Sequence, residues 1–491
     1  MKFLKKTNSL CPECLKVIPA DLVEENSQVL IKKTCPDHGY YEDVYWSNYE
    51  LWEWANSYAA IGEGLNNPRT ARNLGCPMDC GICPDHKSHT VLSIIDVTNR
   101  CNLACPICFA HAGATGYLYE PTQAQIKEML INLRGNQPVP ATALQFSGGE
   151  PTVREDLPEL IRMAKEVGFD HIEVNTNGIR ISKDPGYLKG LIDAGVSTFY
   201  LQFDGLTPEP YIEARGLDLL PVKMKALENA RKVGCDSIVL VPTLVRGVND
   251  GQIGDIIRFA AANSDVVRGV NFQPVSITGR IDRAKQKKMR ITIPDFWKLC
   301  EVQTGGQIKV SDFYPIPVVL PVSRAVGALK DKRYPEFTAH QHCGSATFIF
   351  TEGGKLTPIT RHADVVKFMA SMEGVYNLAA KGSKTRAKLK MMTALRHVDF
   401  TMLQNLMGGV FKEGSYDSLG KLMRKMVLIG CMHFMDGYNF DLERVERCCI
   451  HYAVPDGRLI PFCTMNTLHR AGVEKKFGTP IKGWKKGEIT A

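Results

Sequence analysis

The sequence has no long hydrophobic run. Its longest nearly apolar stretch, residues 426–435, is ten residues with a histidine inside it, about half of what a membrane-spanning helix needs. The N-terminal MKFLKKTNSLCPEC lacks the apolar segment of a secretory signal, so the expectation is a cytoplasmic protein. Disorder is excluded as well, because 44% of the 491 residues are hydrophobic and a chain of that length can bury large cores. Acidic residues are outnumbered, 52 against 60 basic ones, for a formal charge of +8. The excess sits in residues 279–290, 384–390 and 473–486. Such runs are either solvated faces or contacts for an anionic partner such as lipid headgroups or nucleic acid.

Cysteine, by contrast, is abundant, with 16 in the chain. In a short secreted protein that number would suggest disulfides, but here the chain is long and the cysteines recur at two- and three-residue spacings suited to metal. The spacing Cys-x3-Cys-x2-Cys is expected by chance roughly 0.02 times at this cysteine content. It occurs twice, at Cys76, Cys80 and Cys83 and at Cys101, Cys105 and Cys108.

Four regions are predicted. Residues 1–60 carry Cys11-x2-Cys14 and Cys35-x2-His38 followed by an aromatic tail, YYEDVYWSNYELWEW. This is a small rubredoxin-like or zinc-ribbon-like module stapled by one tetrahedral metal, zinc or iron, that packs its aromatics onto a larger body. Residues 61–90 form an auxiliary cluster segment. From 91 to 300, short β-rich runs alternate with amphipathic stretches: VLSIIDV (91–97), ALQFS (143–147), HIEV (171–174), TFYLQF (198–203), SIVLV (237–241) and GVNFQ (269–273). Six β/α units at this spacing predict an α/β fold with a parallel sheet, open or closed as a barrel. Residues 301–491 lose the alternation, and 368–435 reads as helical and methionine-rich. It is either an ordinary helical core or an adaptable apolar groove for a flexible substrate.

The second Cys-x3-Cys-x2-Cys directly follows the first strand, in the loop leaving its C-terminal end, where α/β barrels assemble active sites. A four-iron cubane held by only three thiolates keeps one iron open for a cofactor. These residues resemble the radical S-adenosylmethionine (SAM) superfamily, although Ile107 stands where many members have an aromatic residue. The resemblance implies a partial (β/α)6 barrel, SAM chelated by the open iron, and one-electron cleavage to a 5′-deoxyadenosyl radical. Gly148-Gly149-Glu150-Pro151 matches the superfamily's second-strand signature, which receives the methionine amino group. Asn175 and Asn177 after strand three, Gln202 and Asp204 on strand four, Arg215 and Thr243 are further matches. Their polar groups suit a ribose, and the Arg215 guanidinium suits a carboxylate.

Cys76, Cys80 and Cys83 precede strand one, which predicts a second four-iron cluster, with zinc as the alternative, near the opposite barrel mouth unless the chain folds back. His86 and His89 are candidates for its fourth ligand. Cys235 and Cys300 are expected to be buried thiols. Cys343, Cys431, Cys448, Cys449 and Cys463 remain, enough for one more cluster with one to spare, and their place after the sixth strand suits a cap on the active-site mouth.

Across nearly the whole chain the ordered segments CPEC…CPDHG, CPMDCGICPDHKSH, TPITRHADV and CIHYAVPDGRLIPFC resemble the archaeal tetraether lipid synthase family. That resemblance implies coupling of terminal methyl carbons of isoprenoid chains on archaeal diether glycerol phospholipids. It further implies an alkyl intermediate held on an auxiliary four-iron cluster, for which Cys343, Cys431, Cys448 and Cys463 are expected with Cys449 as a substitute for Cys448, an electron donor such as a ferredoxin, and peripheral contact with the inner membrane face, with no nucleic-acid partner. The alternatives are a radical SAM methylase or alkylase of a pterin or other small cofactor, and a multi-zinc nucleic-acid-binding protein.

Overall fold

The computed structural model describes residues 1–282, 284, 286–351, 354–399 and 426–485. The N-terminal strands β1 (Lys2–Leu10), β2 (Val17–Glu25), β3 (Gln28–Cys35) and β4 (Gly39–Trp46) form an antiparallel four-stranded sheet in chain order. Their alternating burial, as in β3, where every second residue from Val29 to Ile31 and Lys33 is buried, leaves one face to pack and one to solvent. The aromatic tail then docks on the larger body as its composition predicts. The Trp46 and Trp54 rings meet Trp297 at 6.1 and 5.9 Å, and Trp52 stacks on His342.

The body is built on one large sheet. Strands β5 (Leu92–Thr98), β6 (Ala143–Gly148), β7 (His171–Thr176), β8 (Thr198–Gln202), β9 (Ile238–Val241) and β10 (Val267–Pro274) lie side by side in chain order, all parallel. These are the six strands expected from the apolar runs. Their helices cover the sheet with 3.6-residue periodicity: Gln123–Arg134 buries Ile126, Met129, Leu130 and Leu133, and Leu157–Val167 buries Leu157, Leu160, Ile161 and Ala164. The first is started by a capping box in which Thr122 and Gln125 exchange hydrogen bonds.

The C-terminal region extends this sheet at both edges, which the faded alternation gave no sign of. Beyond β10 come β12 (Met426–Met432), parallel, and β11 (Gly344–Phe350), antiparallel; beyond β5 come β13 (Ile450–Ala453), parallel, and β14 (Leu459–Pro461), antiparallel. The expectation that residues 368–435 are helical therefore holds for Val365–Ala380 and Lys384–Ala394 but is corrected at 426–432, a sheet strand. Residues 400–425 of that stretch lie outside the described residues. Among the described residues no helix is long and apolar enough to cross a membrane.

Buried charge locks the modules together. Arg290 donates to Asp43 of β4 at 2.6 Å and to Asp436, after β12, at 2.8 Å, with all three side chains at most 3% exposed. Buried Lys33 of β3 donates to Ser9 Oγ at 2.9 Å and to the Gly437 carbonyl at 2.7 Å.

Candidate functional site

The loop after β5 is clamped from two sides. The Ile107 amide donates to Ala214 O at 3.1 Å, Cys108 and Arg280 exchange two backbone hydrogen bonds of 2.9 Å, and Arg215 Nη1 donates to Ile107 O at 3.0 Å. Ile107 itself packs in a small core with Ala214, Val245 and Val275, so an aliphatic residue suffices there. Cys101, Cys105 and Cys108 all line one large cavity at the C-terminal ends of the strands. Burial pushes the Cys101 and Cys105 thiols up. Three thiolates in such a place need a cation to neutralise them, which fits an iron–sulfur centre.

Gly148 and Gly149 bring β6 against this loop. Gly149 N donates to Thr98 O at 2.8 Å and Glu150 N to Arg100 O at 2.9 Å. A Cβ on Gly148, whose φ is +134°, would stand 2.0 Å from Thr98 O, and one on Gly149 would stand 2.2 Å from Arg100 O. Only glycine permits this approach. Glu150 is 1% exposed; its carboxylate accepts from Thr176 Oγ1 and from the Asn177 amide at 2.7 Å each, and from Thr152 Oγ1 at 2.5 Å. Burial outweighs these donors and raises its carboxyl.

The remaining polar positions converge on the same cavity, which Asn175, Asn177, Gln202, Arg215 and Thr243 all line. Asn177 Nδ2 reaches the cysteine loop, donating to Asn102 Oδ1 at 2.7 Å, and Asn175 Nδ2 donates to Ser147 Oγ at 3.3 Å. Arg215 was expected to suit a carboxylate. Its partner in the structure is Asp204, at 2.8 Å through Nε and again through Nη2, with Thr243 Oγ1 also at 2.8 Å. Gln202 Nε2 donates to the same carboxylate.

Sequence reasoning missed two parts of this site. Lys223, on the helix Leu220–Lys232, is fully buried and donates to the Asn177 carbonyl and, at 3.3 Å, to Gln202 Oε1. A lysine on an amphipathic helix carries no local signal of such a role. The far wall of the cavity is aromatic: Phe434 stacks on Phe462 with centroids 4.0 Å apart, and Tyr452 lies 5.5 Å from Phe462. Phe462 adjoins Cys463, the one signal that could have pointed there.

The first cysteine triplet does fold back. Cys76, Cys80 and Cys83 line a second, smaller cavity with His86. Cys80 Sγ sits 3.0 Å from Thr464 Oγ1, beside Cys463 of the main cavity, so the folded-back arrangement holds and not the opposite barrel mouth. His86 Nε2 lies 2.9 Å from Cys448 O and 3.1 Å from His451 Nε2, while His89 Nε2 accepts the Glu336 amide at 2.6 Å and takes no part in this cavity.

Cys343, Cys448 and Cys463 lie within electrostatic range of one another, and Arg444 Nε donates to Cys343 Sγ at 3.3 Å. Cys431 does not join them. Strand alternation puts it on the same face of β12 as Val427 and Ile429, inside the main hydrophobic core, which corrects its expected role as a ligand. Cys449 Sγ lies 3.9 Å from Thr338 Oγ1 and is also within electrostatic range of Cys343 and Cys448. Cys235 and Cys300 are buried thiols of the main core, as expected.

In the N-terminal module Cys11 Sγ and Cys35 Sγ lie 3.7 and 3.5 Å from His38 Nδ1, and Cys14 Sγ lies 3.9 Å from Cys35 Sγ. Four ligands about 2.0–2.3 Å from a tetrahedral ion are separated by edges of this size. His340, Asp441 and Glu443 are also close together, but Asp441 already accepts from Thr7 and Tyr45, and Glu443 from Lys5. That group is an interface network.

Residues 95–260 match the Radical SAM superfamily, and residues 3–47 match the HMPTM N-terminal zinc ribbon domain. The chain is 52% identical, over 98% of its length and 97% of the relative's, to the 7,8-dihydro-6-hydroxymethylpterin dimethyltransferase of Methanocaldococcus jannaschii. The chain belongs to this dimethyltransferase family. It is a radical SAM protein with an N-terminal zinc ribbon, and that fold implies SAM, a four-iron cluster and a mononuclear metal. A probable GTP 3′,8-cyclase of Methanothermobacter thermautotrophicus is 29% identical over 38% of the chain and 58% of its own length. The Streptococcus suis protein SuiB, bound to its precursor peptide SuiA, is similar over 45% of the chain and 46% of its own, at 18% identity and a TM-score of 0.36. The near full-length match overturns the expected coupling of isoprenoid lipids and the expected lipid partner: the relative it identifies is named for a pterin.

Proposed function

We propose that this protein is a radical SAM methyltransferase whose substrate is a 7,8-dihydro-6-hydroxymethylpterin or a close analogue. The observation that carries this reading is the near full-length, 52% identical relative of that name. The cavity supports it. The rings of Phe434, Phe462 and Tyr452 along the lining offer apolar faces to a flat heteroaromatic ring, and Gln273 beside them offers an amide group to ring nitrogens and carbonyls.

When bound, the cluster and SAM supply a 5′-deoxyadenosyl radical able to take hydrogen from an unactivated carbon, chemistry beyond any acid or base side chain. Cys101, Cys105 and Cys108 are assigned to that cluster. Gly148, Gly149 and Glu150 shape the amino-group side of the SAM site, with Glu150 held by four donors so that its turn cannot shift. Asn175, Asn177, Gln202 and Thr243 are assigned to the ribose side. Arg215 and Asp204 position the cysteine loop, and the aromatic wall excludes water from the reacting carbon.

The proposed cofactor set is larger than the fold alone implies: three four-iron clusters and one zinc or iron. The second cluster is assigned to Cys76, Cys80 and Cys83, and the third to Cys343, Cys448 and Cys463. The single ion is assigned to Cys11, Cys14, Cys35 and His38.

The test is anaerobic incubation of the reconstituted protein with SAM, a strong reductant and the dihydropterin, read by mass spectrometry. The expected products are 5′-deoxyadenosine and methionine from the SAM that is cleaved, and a pterin heavier by one methylene unit for each methyl introduced, that methyl coming from a separate one-carbon donor such as a second SAM released as S-adenosylhomocysteine. An unmodified pterin, alongside turnover of an added isoprenoid diether lipid, would overturn the reading.

A further inference from the structure

Arg444, on the short helix Leu442–Glu446, is a buried cation, 2% exposed, and among the described residues no carboxylate pairs with it. Arg154, Arg215, Arg290 and Arg470 are also buried, and each holds an aspartate. Arg447, which also lacks an acid, meets Gln341. The atoms that Arg444 meets are a sulfur and a carbonyl oxygen. Its Nε donates to Cys343 Sγ at 3.3 Å and its Nη2 to the His433 carbonyl at 2.5 Å, while the His433 amide donates to the Cys343 carbonyl at 2.9 Å. Burial acts to lower the guanidinium, but Cys343, Tyr45 and Cys463 outweigh it and raise the group. Cys463 Sγ in turn accepts the Met435 amide at 3.3 Å. Asp436, which acts on the same thiol, is already paired with Arg290.

A guanidinium in a protein interior is costly unless an anion sits beside it. Neutral thiols are no such anion. Thiolates around an oxidised four-iron cubane are, and that anion gains one more negative charge when the cubane is reduced. A fixed positive charge and N–H···S bonds therefore favour the reduced state over the oxidised one. The radical loop faces a different field. Arg215, beside Cys105, is neutralised by Asp204, and the Glu150 carboxylate acts on Cys101 with the opposite sign. The buried Lys223 faces those same two acids.

We propose that Arg444 is the counter-ion of the cluster assigned to Cys343, Cys448 and Cys463, and that it holds the reduction potential of this cluster above that of the cluster at Cys101, Cys105 and Cys108. Arg444 is a positioning residue, acting through the Cys343 sulfur. A chemical reductant such as dithionite gives up one electron for each cluster reduced, with no bond or proton moved, and the C-terminal cluster fills before the radical cluster. The inference rests on the proposed cluster assignments.

The test is a potentiometric titration of the full-length, reconstituted protein with dithionite and redox mediators, followed by electron paramagnetic resonance. A Cys343→Ala, Cys448→Ala, Cys463→Ala protein identifies the C-terminal signal by its loss. Iron content equal to wild type in that protein would refute the cluster assignment itself. With the signal identified, Arg444→Met should make reduction of this cluster less favourable by about tenfold or more, a midpoint lower by about 59 mV for one electron, and leave the radical cluster's midpoint in place. Arg444→Lys, which keeps the charge, should recover most of that shift. An unshifted midpoint in Arg444→Met would overturn the inference, as would a wild-type C-terminal midpoint at or below that of the radical cluster. If the methionine variant fails to fold, wild-type protein grown on 15N-labelled arginine still decides. The C-terminal signal should then carry a nitrogen coupling from the Nε–H···S bond, and its absence would overturn the contact.

Discussion

The Arg215 guanidinium holds Asp204 by two contacts of 2.8 Å while its remaining nitrogen holds the carbonyl of Ile107, between the second and third cysteines of the radical loop. One buried ion pair thus joins the end of strand β8 to the metal-binding loop. Removing a single partner leaves an uncompensated buried charge, which costs roughly 3–5 kcal/mol. Asp204→Asn should therefore lower the thermal midpoint markedly, and Arg215→Lys, which cannot grip both oxygens, should reduce 5′-deoxyadenosine formation more than it reduces stability. Scanning calorimetry beside a SAM-cleavage assay checks both, and wild-type cleavage in Arg215→Lys would dismiss the positioning role. Burial acts to raise the Asp204 carboxyl, but the guanidinium outweighs it and holds the group below its ordinary value. A depressed carboxylate stabilises above its unfolded pKa of about 3.9. That contribution should disappear as the pH falls through the lower folded value.

Gly148 and Gly149 meet backbone, which cannot swing aside as a side chain can. A methyl at either position would lie 2.0 or 2.2 Å from a carbonyl oxygen of residues 98 or 100. Gly148→Ala and Gly149→Ala should each cost about 1–3 kcal/mol or more and displace the cysteine loop enough to abolish SAM cleavage. Gly190, in the helix Pro185–Ala194, has nothing within 4 Å of its would-be Cβ. Gly190→Ala should stabilise by about 0.5–1 kcal/mol. Chemical denaturation of the three variants distinguishes crowding from a general intolerance of alanine.

The six barrel strands were legible because each is a short apolar run bounded by turn residues, and the radical loop because three cysteines at that spacing, directly after a strand, are improbable by chance and suited to a cluster. The edge strands β11–β14 were not legible: β12 sits in a methionine-rich stretch whose neighbours are helical, and its pairing with β10 spans more than 150 residues. Cys431 was misread for the same reason. Spacing cannot show that strand alternation turns its thiol into the core with Val427 and Ile429. The fold-back of residues 76–89 onto residues 448–464 is likewise a long-range event, visible only in contacts such as Cys80 with Thr464. Lys223 shows the limit most plainly, since its helix exposes other lysines of the same local pattern to solvent.

Metal analysis of anaerobically prepared protein should find about twelve irons for the three clusters and one further zinc or iron. Cys14→Ser should remove only the last, and the loss should soften the antiparallel N-terminal sheet, because the proposed ion would be held by Cys11, just after β1, together with Cys35, at the end of β3. Limited proteolysis within residues 1–46 would report that softening. A protein saturated at four irons would contradict the auxiliary clusters, and an unchanged zinc or iron count in Cys14→Ser would contradict the fourth site.

Lys223 allows a test with a defined sign. Burial lowers its ammonium from 10.5 to about 7, against the pull of Asp204, which acts to raise it. Below that value the lysine is charged in both the folded and the unfolded chain, so the full burial penalty is present. Between about 7 and 10.5 the unfolded chain binds more protons than the folded one, and stability from this group rises with pH. Lys223→Met removes the titration. Raised thiols nearby act in the opposite direction at alkaline pH, but they are common to both proteins and cancel in the comparison. The stability of the methionine variant relative to wild type should therefore be greatest near about pH 6 and fall steadily toward about pH 10. Denaturant titrations of the reduced, metal-free proteins at several pH values measure that difference, and a difference that does not change with pH would show that Lys223 keeps its ordinary protonation in the fold.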